Sequence, residues 1–554
     1  MAHFLSADVL LDGGPYRLPV QVERLLWHLG FDDVRVIDGA NDQGGDILAT
    51  RNRERFVLQS KWKRSGAVLS GAVDEAENAK RHYACDRAVV VTNSLLAPSA
   101  VKRAQQLRTI GSPVETWDGR ALRRLYEAIP GRLPPVALRD YQEHARAALR
   151  RDLDAHGRAL LILATGLGKT VVGGEGIRHH IEEHPGDPVL VVAHLTELVR
   201  QLEKAMWRHL PKTVKTEVLT GNERPADLSG VTFATVESAL RVARDERYVP
   251  KLVMVDETHH VSEDGSFQEL LELLRDARQF GVTATPWRGD KYDITHRFGP
   301  ASFTMGIAEG MAKGWLAQVD YRLYVDNVDW EVVSTASRRK YSIKELNEKL
   351  FLPQRDEAII DHLTDAYTSI AEPRGIVFCQ TIEHAERFAA TLRKTSPLWR
   401  NAQCLHSGLN KQERQQALSD FRLGRIPLIA VRDIFNEGVD VPDVNIICFL
   451  RVTHSRRIFV QQLGRGLRLK GDDKRVLVLD FVTDIRRAAA ALGIKREMDR
   501  LAIEEVTVPQ SATIEFSDAH VGTLMDAWIK DAADLETSAA EIELQFPEVE
   551  WNLQ

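Results

Sequence analysis

Beyond residue 158 the chain alternates short apolar runs with amphipathic stretches. LLILATGLGKT, VLVVAHL, VTFATV, KLVMVDE and FGVTATP read as brief strands separated by helices. Short apolar runs without polar alternation suit strands buried on both faces, as in a parallel sheet covered by helices. A second series begins near Arg374, with GIVFCQT, AQCLHSG, IPLIAVRD, NIICFLR and RVLVLDF. Two doubly wound parallel-sheet lobes in tandem are therefore expected. The first part of the chain reads as a smaller α/β unit. A helical stretch, PVQVERLLWHLGF, stops at Gly30. Short strands follow at VRVID, DILAT and FVLQSKW, then a helix near VDEAENAKRHYA and a buried strand, RAVVVTN. PGRLPP, from Pro130 to Pro135, marks a boundary of prolines and glycine. Tyr321 to Pro353 is a polar connector. The expected division is 1–130, a linker at 131–137, a first lobe at 138–320, a connector at 321–355, a second lobe at 356–485 and a helical, acidic region at 486–554.

Composition narrows the class without naming a chemistry. A chain of 554 residues, 44% hydrophobic and 27% charged, is that of a soluble protein with several domains. No apolar run is long enough to span a bilayer, and the N-terminus lacks the pattern of a signal peptide. A cytoplasmic protein with no membrane partner is expected. Cys85, Cys379, Cys404 and Cys448 are scattered with no C-x-x-C pair, which argues against zinc and disulfides. A net charge of −6 leaves nucleic-acid binding to local patches. Arg51 to Arg64 is basic, its side chains being either solvated or phosphate contacts. The tail beyond Glu515 is acidic and reads as a solvated helix with a loose end; DNA mimicry or contact with a basic cleft is the alternative.

Chemistry enters with LATGLGKT (Leu163 to Thr170) and VMVDETHH (Val253 to His260). Thr165, Gly166 and Gly168 form a phosphate-binding loop whose free backbone N–H groups surround phosphate oxygens. Lys169 reaches the outer phosphates, and the Thr170 hydroxyl holds Mg²⁺. Leu163 stands where the usual pattern has its first glycine. The second segment ends an apolar strand with adjacent acids: Asp256 for the magnesium shell, Glu257 to orient or deprotonate water. Together, each after a β-like run, they point to hydrolysis of a nucleoside triphosphate.

Residues from about Leu138 to Phe481 resemble superfamily 2 helicases or translocases of the DExH type, with the restriction-enzyme group nearest. The resemblance implies two RecA-like lobes using ATP and Mg²⁺. It rests on LRDYQ, AHLTELVRQ, FATVES, TATPWR, FCQTIEHAE, FNEGVDVPDVN and QQLGRGLR in that order. It implies that Arg139 and Gln142 serve the nucleotide, the glutamine amide matching the adenine edge. Thr235 would lie near the nucleic-acid backbone. Gly438, Asp440 and Gln462 fall in the nucleotide-binding motifs of the second lobe, whereas Asn436 replaces a commoner threonine or serine. Arg465 and Arg468, three residues apart and so on one helical face, would act as arginine fingers.

A second constellation lies near the N-terminus. GGDILA and QSKWK place Asp46, Gln59 and Lys61 on one side of a hairpin, because alternate residues share a face. Carboxylate and amide oxygens suit one hard divalent cation, and the lysine can position water and steady a phosphorane. ERLLWHLGF, DQGGDI, QSKWK and RAVVVTN resemble the PD-(D/E)xK nucleases, particularly Mrr-type restriction endonucleases. That resemblance implies a small α/β restriction-endonuclease-like domain and assigns Glu23 as a helix-borne acid assisting the metal. Gln59 supplies one negative charge fewer than the commoner acid.

The expected protein is thus an ATP-dependent DNA translocase or helicase coupled to a Mg²⁺-dependent endonuclease, in restriction or anti-phage defence, with double-stranded DNA as its track. No sequence-reading domain is recognisable, so target choice would come from partner subunits of a defence system, from DNA modification or from the N-terminal module itself. A DNA-repair helicase-nuclease acting on branched DNA is one alternative. A protein–DNA remodeller whose N-terminal domain only binds DNA is the other.

Overall fold

A computed structural model of the chain describes residues 3–37, 45–225, 227–245, 248–262, 265–284, 293–324, 340–342, 356–379, 381–409, 411–422, 424–432, 444–450, 475–481, 514–516 and 543–545. The chain divides into two compact units. One holds Met1–Leu160, Thr170–Val282 and Arg297–Ser302; the other holds Leu161–Lys169, Thr283–His296 and Phe303–Gln554. Three sheets of five or seven strands carry the architecture. No described helix is long and apolar enough to cross a membrane.

The N-terminal domain is a three-layer α/β unit. Helix α1 (Gly14–His28) carries Pro15 in its first turn, where an N–H would have no helical partner anyway. It gives out before Gly30, whose φ of 77° places it in the left-handed region. Leu18, Val22, Leu25 and Leu26 recur at helical spacing and cover one face of a five-stranded sheet, against Ile47, Phe56, Leu58, Val89 and Val91. The strands are β1 (Asp32–Val36), β2 (Ile47–Arg51), β3 (Glu54–Lys61), β4 (Arg87–Thr92) and β5 (Val114–Trp117), adjacent in that order. The first three pair antiparallel. β3, β4 and β5 run parallel, with Lys61 opposite Thr92 and Val91 opposite Trp117. The other face packs Val57 and Val90 against α2 (Gly71–His82) and α3 (Pro98–Thr109), through Val73, Ala76 and Leu107. Helix α4 (Gly119–Ala128) follows β5, its start capped by Asp118.

The first lobe is built around a seven-stranded sheet. Helix α5 (Asp140–His156) leads into β6 (Arg158–Leu163), α6 (Lys169–Glu183), β7 (Val189–Ala193) and α7 (Thr196–Met206). β8 (Thr216–Leu219), β9 (Val231–Thr235), β10 (Leu252–Asp256), β11 (Arg278–Thr283) and β12 (Phe303–Met305) complete it, in the order β8-β9-β7-β10-β11-β6-β12. The non-sequential order and the parallel ladders are those of a doubly wound sheet.

The N-terminal domain is fastened to α7 and β8 by buried charge. Arg17 forks onto Glu203 at 2.9 and 3.1 Å and donates to the Thr216 carbonyl at 2.9 Å. Burial alone would lower the pKa of Arg17 and raise that of Glu203. Each partner outweighs that burial, so the shifts run the opposite way and both stay charged. The fully buried Arg24 donates to Val214 O and Pro211 O, and Lys212 Nζ donates to the carbonyls of Tyr126 and Ile129.

The second lobe repeats the plan. β13 (Gln318–Tyr324), β14 (Gly375–Phe378), β15 (Gln403–His406), β16 (Leu428–Arg432), β17 (Ile446–Phe449), β18 (Arg475–Phe481) and β19 (Ile514–Phe516) lie in the order β15-β16-β14-β17-β18-β13-β19. Val377, Ala430, Cys448 and Leu479 pack beneath helices that contribute Leu363, Phe388 and Trp399. The start of the connector segment is therefore strand, since β13 pairs with β18 along its whole length. The region at 486–554, read from sequence as helical and acidic, contributes the strand β19 beside it.

Candidate ATP-hydrolysis and nuclease sites

The phosphate loop joins β6 to α6. Gly166 and Gly168 have φ values of 93° and 83°, which a side chain would strain. Between them Leu167 is fully buried, and its N–H donates to the Ala164 carbonyl at 3.1 Å. That anchors the loop while Thr165, Lys169 and Thr170 remain half-buried around it. Leu163 is the last residue of β6 and fully buried, so the position of the missing glycine belongs to the core rather than the loop. Helix α6 starts at Lys169, with its orphan N–H groups at the loop.

In the sheet order β10 and β6 flank β11. Asp256 ends β10 and is buried. Glu257 follows with φ 53°, an unfavourable conformation for a non-glycine residue and one that gathers at functional sites. His259 is buried, and its Nδ1 lies 3.2 Å from Glu257 Oε2. The ring of His260 meets that of His194, the residue after β7, in a tilted contact with centroids 3.9 Å apart. The His194–His260 contact was not expected from the motifs, because the pairing of β7 with β10 brings distant segments together.

Gln142 is the third residue of α5. Its Oε1 accepts the Arg139 N–H at 3.0 Å, the returning half of a capping box, and its Nε2 donates to Tyr141 Oη at 3.3 Å. Thr235 is buried at the end of β9, and its hydroxyl donates to Ser238 Oγ at 3.0 Å. Behind the loop, Glu175 of α6 bonds His209 Nδ1 at 2.8 Å and Arg178 at 2.6 Å. Burial pushes its carboxyl up, but these two partners outweigh that and hold it at about 2. Gly438, Asp440, Gln462, Arg465 and Arg468 lie outside the described residues.

The residues expected to form a nuclease centre gather where β2 meets β3. Asp46 is 7% exposed and Gln59 is 4% exposed. Asp46 Oδ2 accepts from Gln59 Nε2 at 3.0 Å, from the Ser60 N–H at 2.5 Å and from Ser60 Oγ at 2.8 Å. Gln59 Oε1 is buried with no hydrogen-bond partner among the described residues. An orphaned carbonyl oxygen beside a carboxylate is the donor type a hard cation takes. Lys61 follows on the same side and pairs with Glu75 of α2 at 2.5 Å. Glu23 is 2% exposed on α1, and its carboxylate pairs with Lys204 of α7 at 2.7 Å. Burial raises the pKa of Glu23, and Lys204 only partly opposes the rise. Among the described residues no three His, Cys, Asp or Glu side chains come together in a metal-binding group. A cation here would take Asp46 and Gln59, with water completing its shell.

Comparison with known proteins gives three family matches. "Restriction endonuclease" of the Mrr catalytic type matches residues 12–126. "Type III restriction enzyme, res subunit" matches 135–288, and "Helicase conserved C-terminal domain" matches 354–470. Among curated relatives, the "Putative mitochondrial ATP-dependent helicase irc3" of Schizosaccharomyces pombe is 28% identical over 64% of this chain and 59% of its own length. The "DNA 3'-5' translocase XPB2" of Sulfurisphaera tokodaii is 26% identical over 63% of this chain and 82% of its own. Among solved structures, the "ATP-dependent Type ISP restriction-modification enzyme LlaBIII bound to DNA" covers 97% of this chain with a TM-score of 0.53 and 15% identity. That likeness is one of fold. The chain spans 42% of that enzyme.

Proposed function

We propose that this chain, whose successive segments match a restriction endonuclease of the Mrr type, a type III restriction enzyme res subunit and a helicase C-terminal domain, is an ATP-dependent DNA translocase or helicase coupled to a Mg²⁺-dependent DNA endonuclease. The observation that carries this reading is the presence of both chemistries in one chain. The chain carries a phosphate loop with its glycines at positive φ and a strained Glu257, and, in its N-terminal domain, a buried Asp46–Gln59 pair with an orphaned oxygen.

In this proposal Lys169 neutralises the outer phosphates of ATP, and Glu257 orients the attacking water and takes its proton. His259 holds the Glu257 carboxylate, while Arg465 and Arg468 supply charge to the transferring phosphate. Thr170 and Asp256 would hold the nucleotide's Mg²⁺. Hydrolysis drives alternating grip on a DNA duplex. In the nuclease site Asp46 and Gln59 would hold Mg²⁺, which polarises the scissile phosphate and its water. Lys61 positions that water and offsets charge on the phosphorane. We assign the nuclease to 1–130 and the lobes to 138–320 and 356–485. Restriction or anti-phage defence in the cytoplasm is the setting that suits the pairing.

One observation favours a second reading. Glu23 pairs with Lys204, and among the described residues no group of three acidic, histidine or cysteine side chains forms at the centre. A domain so placed could grip DNA without cutting it, and the protein would then be a remodeller. Lys61→Ala separates the two readings, because it should abolish cleavage of duplex DNA in Mg²⁺ and leave ATP turnover intact. Cleavage by that variant at the unaltered rate would remove Lys61 from the mechanism.

A further inference from the structure

A cleft of about 460 Å³ opens on the N-terminal domain beside the end of β5. Leu95, Leu96, Val101 and Ala121 form its apolar wall, and Arg120 and Arg124 of α4 its rim. Leu95 and Val101 are 48% and 42% exposed. We propose that this cleft holds one nucleotide of the DNA strand that the Asp46–Lys61 centre cuts, displaced along the strand from the scissile phosphate. The proposal rests on the nuclease reading and gives it a second point of contact.

Placement comes first. Lys61 is opposite Thr92, and Val91 is opposite Trp117, so the ends of β3, β4 and β5 form one carboxyl edge. Open parallel sheets bind ligands at that edge. Two strand spacings of about 4.8 Å put the end of β5 roughly 10 Å from Lys61. Base pairs rise about 3.4 Å along a duplex axis, so the cleft lies within about three nucleotides of the scissile phosphate. The face is also shared. Val57 and Val114 both lie in the core under α2 and α3, and alternation puts Gln59, Lys61 and Thr116 on that side with them.

The link between centre and cleft is hydrogen-bonded throughout. Asn93 Oδ1 accepts the Lys63 N–H at 2.8 Å, and Asn93 Nδ2 donates to the Lys63 carbonyl at 2.9 Å. Ala67–Val68 then pairs with Leu95–Leu96, which carries the apolar wall. A strand held at Lys61 thus meets the cleft at a fixed distance.

Charge identifies the occupant. Arg35, Arg81, Arg87 and Arg103 each have an acidic partner. Among the described residues Arg120 and Arg124 have none, and four residues apart they share one face of α4. Asp118 is the acid beside them, but its Oδ1 accepts the N–H groups of Arg120 and Ala121 at 3.0 and 2.7 Å. Two guanidiniums over an apolar wall match a phosphate carrying a sugar and base, since guanidinium forks phosphate and bases pack on apolar or planar groups.

The test uses the full chain and a labelled duplex, with binding measured against salt and cleavage measured in Mg²⁺. Each phosphate contact contributes about 0.9 to the slope of log affinity against log salt. The Arg120→Ala, Arg124→Ala pair should therefore flatten that slope by about 1.8 and slow cleavage at least tenfold. Lysines at both positions should restore the slope. Ala121→Trp, which fills the cleft, should slow cleavage as strongly. Arg123→Ala, on the same helix but outside the cleft, is the control and should change neither. Unfolding temperatures equal to that of the unaltered chain exclude misfolding. An unchanged slope and unchanged cleavage in the alanine pair overturn the proposal. If the unaltered chain cuts no DNA, the nuclease reading fails, and the slope alone still decides whether the cleft is a DNA subsite.

Discussion

Glu257 shows how backbone and side chain cooperate to aim one carboxylate. Its left-handed φ turns the chain sharply after β10, and His259 meets the side chain at 3.2 Å. Replacing Glu257 with Gln keeps size and hydrogen bonding but removes the base. DNA-stimulated ATP turnover should fall about 10²-fold or more, with ATP binding retained, as titration with a fluorescent nucleotide would report. Glu175 makes a different prediction, in stability. Its carboxyl titrates at about 2 in the folded chain, below its ordinary value of 4.5. A depressed folded pKa contributes stability that is complete above the unfolded value and is lost as pH falls through the folded one. Glu175→Gln should thus be destabilised relative to the unaltered chain at neutral pH. The difference in denaturant midpoint should shrink between about pH 4.5 and 2; a constant difference over that range contradicts the account.

The contact between α1 and α7 decides how the nuclease domain is carried. α7 presents Glu203 to Arg17 and Lys204 to Glu23, so adjacent residues of one helix hold both charges of the other. Breaking one partner of a buried pair typically costs about 3–5 kcal/mol, whereas replacing both by apolar residues is close to neutral. Arg17→Met should show the larger loss in chemical unfolding, and Arg17→Met with Glu203→Leu should recover most of it. An additive double variant would mean that the pair does not couple the elements. None of this contact is legible in sequence, because the charges sit in segments that look like ordinary amphipathic helices. What the sequence does reveal is local. The strands at 47–51, 54–61 and 87–92 and the helix at 71–82 follow from alternation and spacing. Helices α3 and α4 and strand β5 escape such reading. In α3 only Ala100 and Leu107 are buried, too few to make an apolar stripe. The cleft proposed as a DNA subsite lies in that unread part.

On the proposed reading, the chain joins an ATP-hydrolysing motor and a nuclease in one polypeptide. The phosphate loop and the Asp256–Glu257 pair were readable at once, because their chemistry is packed into a few consecutive residues. So was the Asp46, Gln59 and Lys61 set, since a hairpin fixes which side chains share a face. The partner of Glu23 was not, because a helix-borne acid carries no mark of what it meets after folding. The central claim is that cutting is driven by the motor. Cleavage of linear and supercoiled duplex DNA in Mg²⁺, with and without ATP, tests it most directly when Lys169→Ala and Lys61→Ala are run alongside. The account predicts cleavage that requires ATP and disappears in both variants, with ATP turnover lost only in Lys169→Ala. Cleavage that proceeds equally without ATP, or DNA-stimulated ATP turnover with every strand left intact, would contradict it.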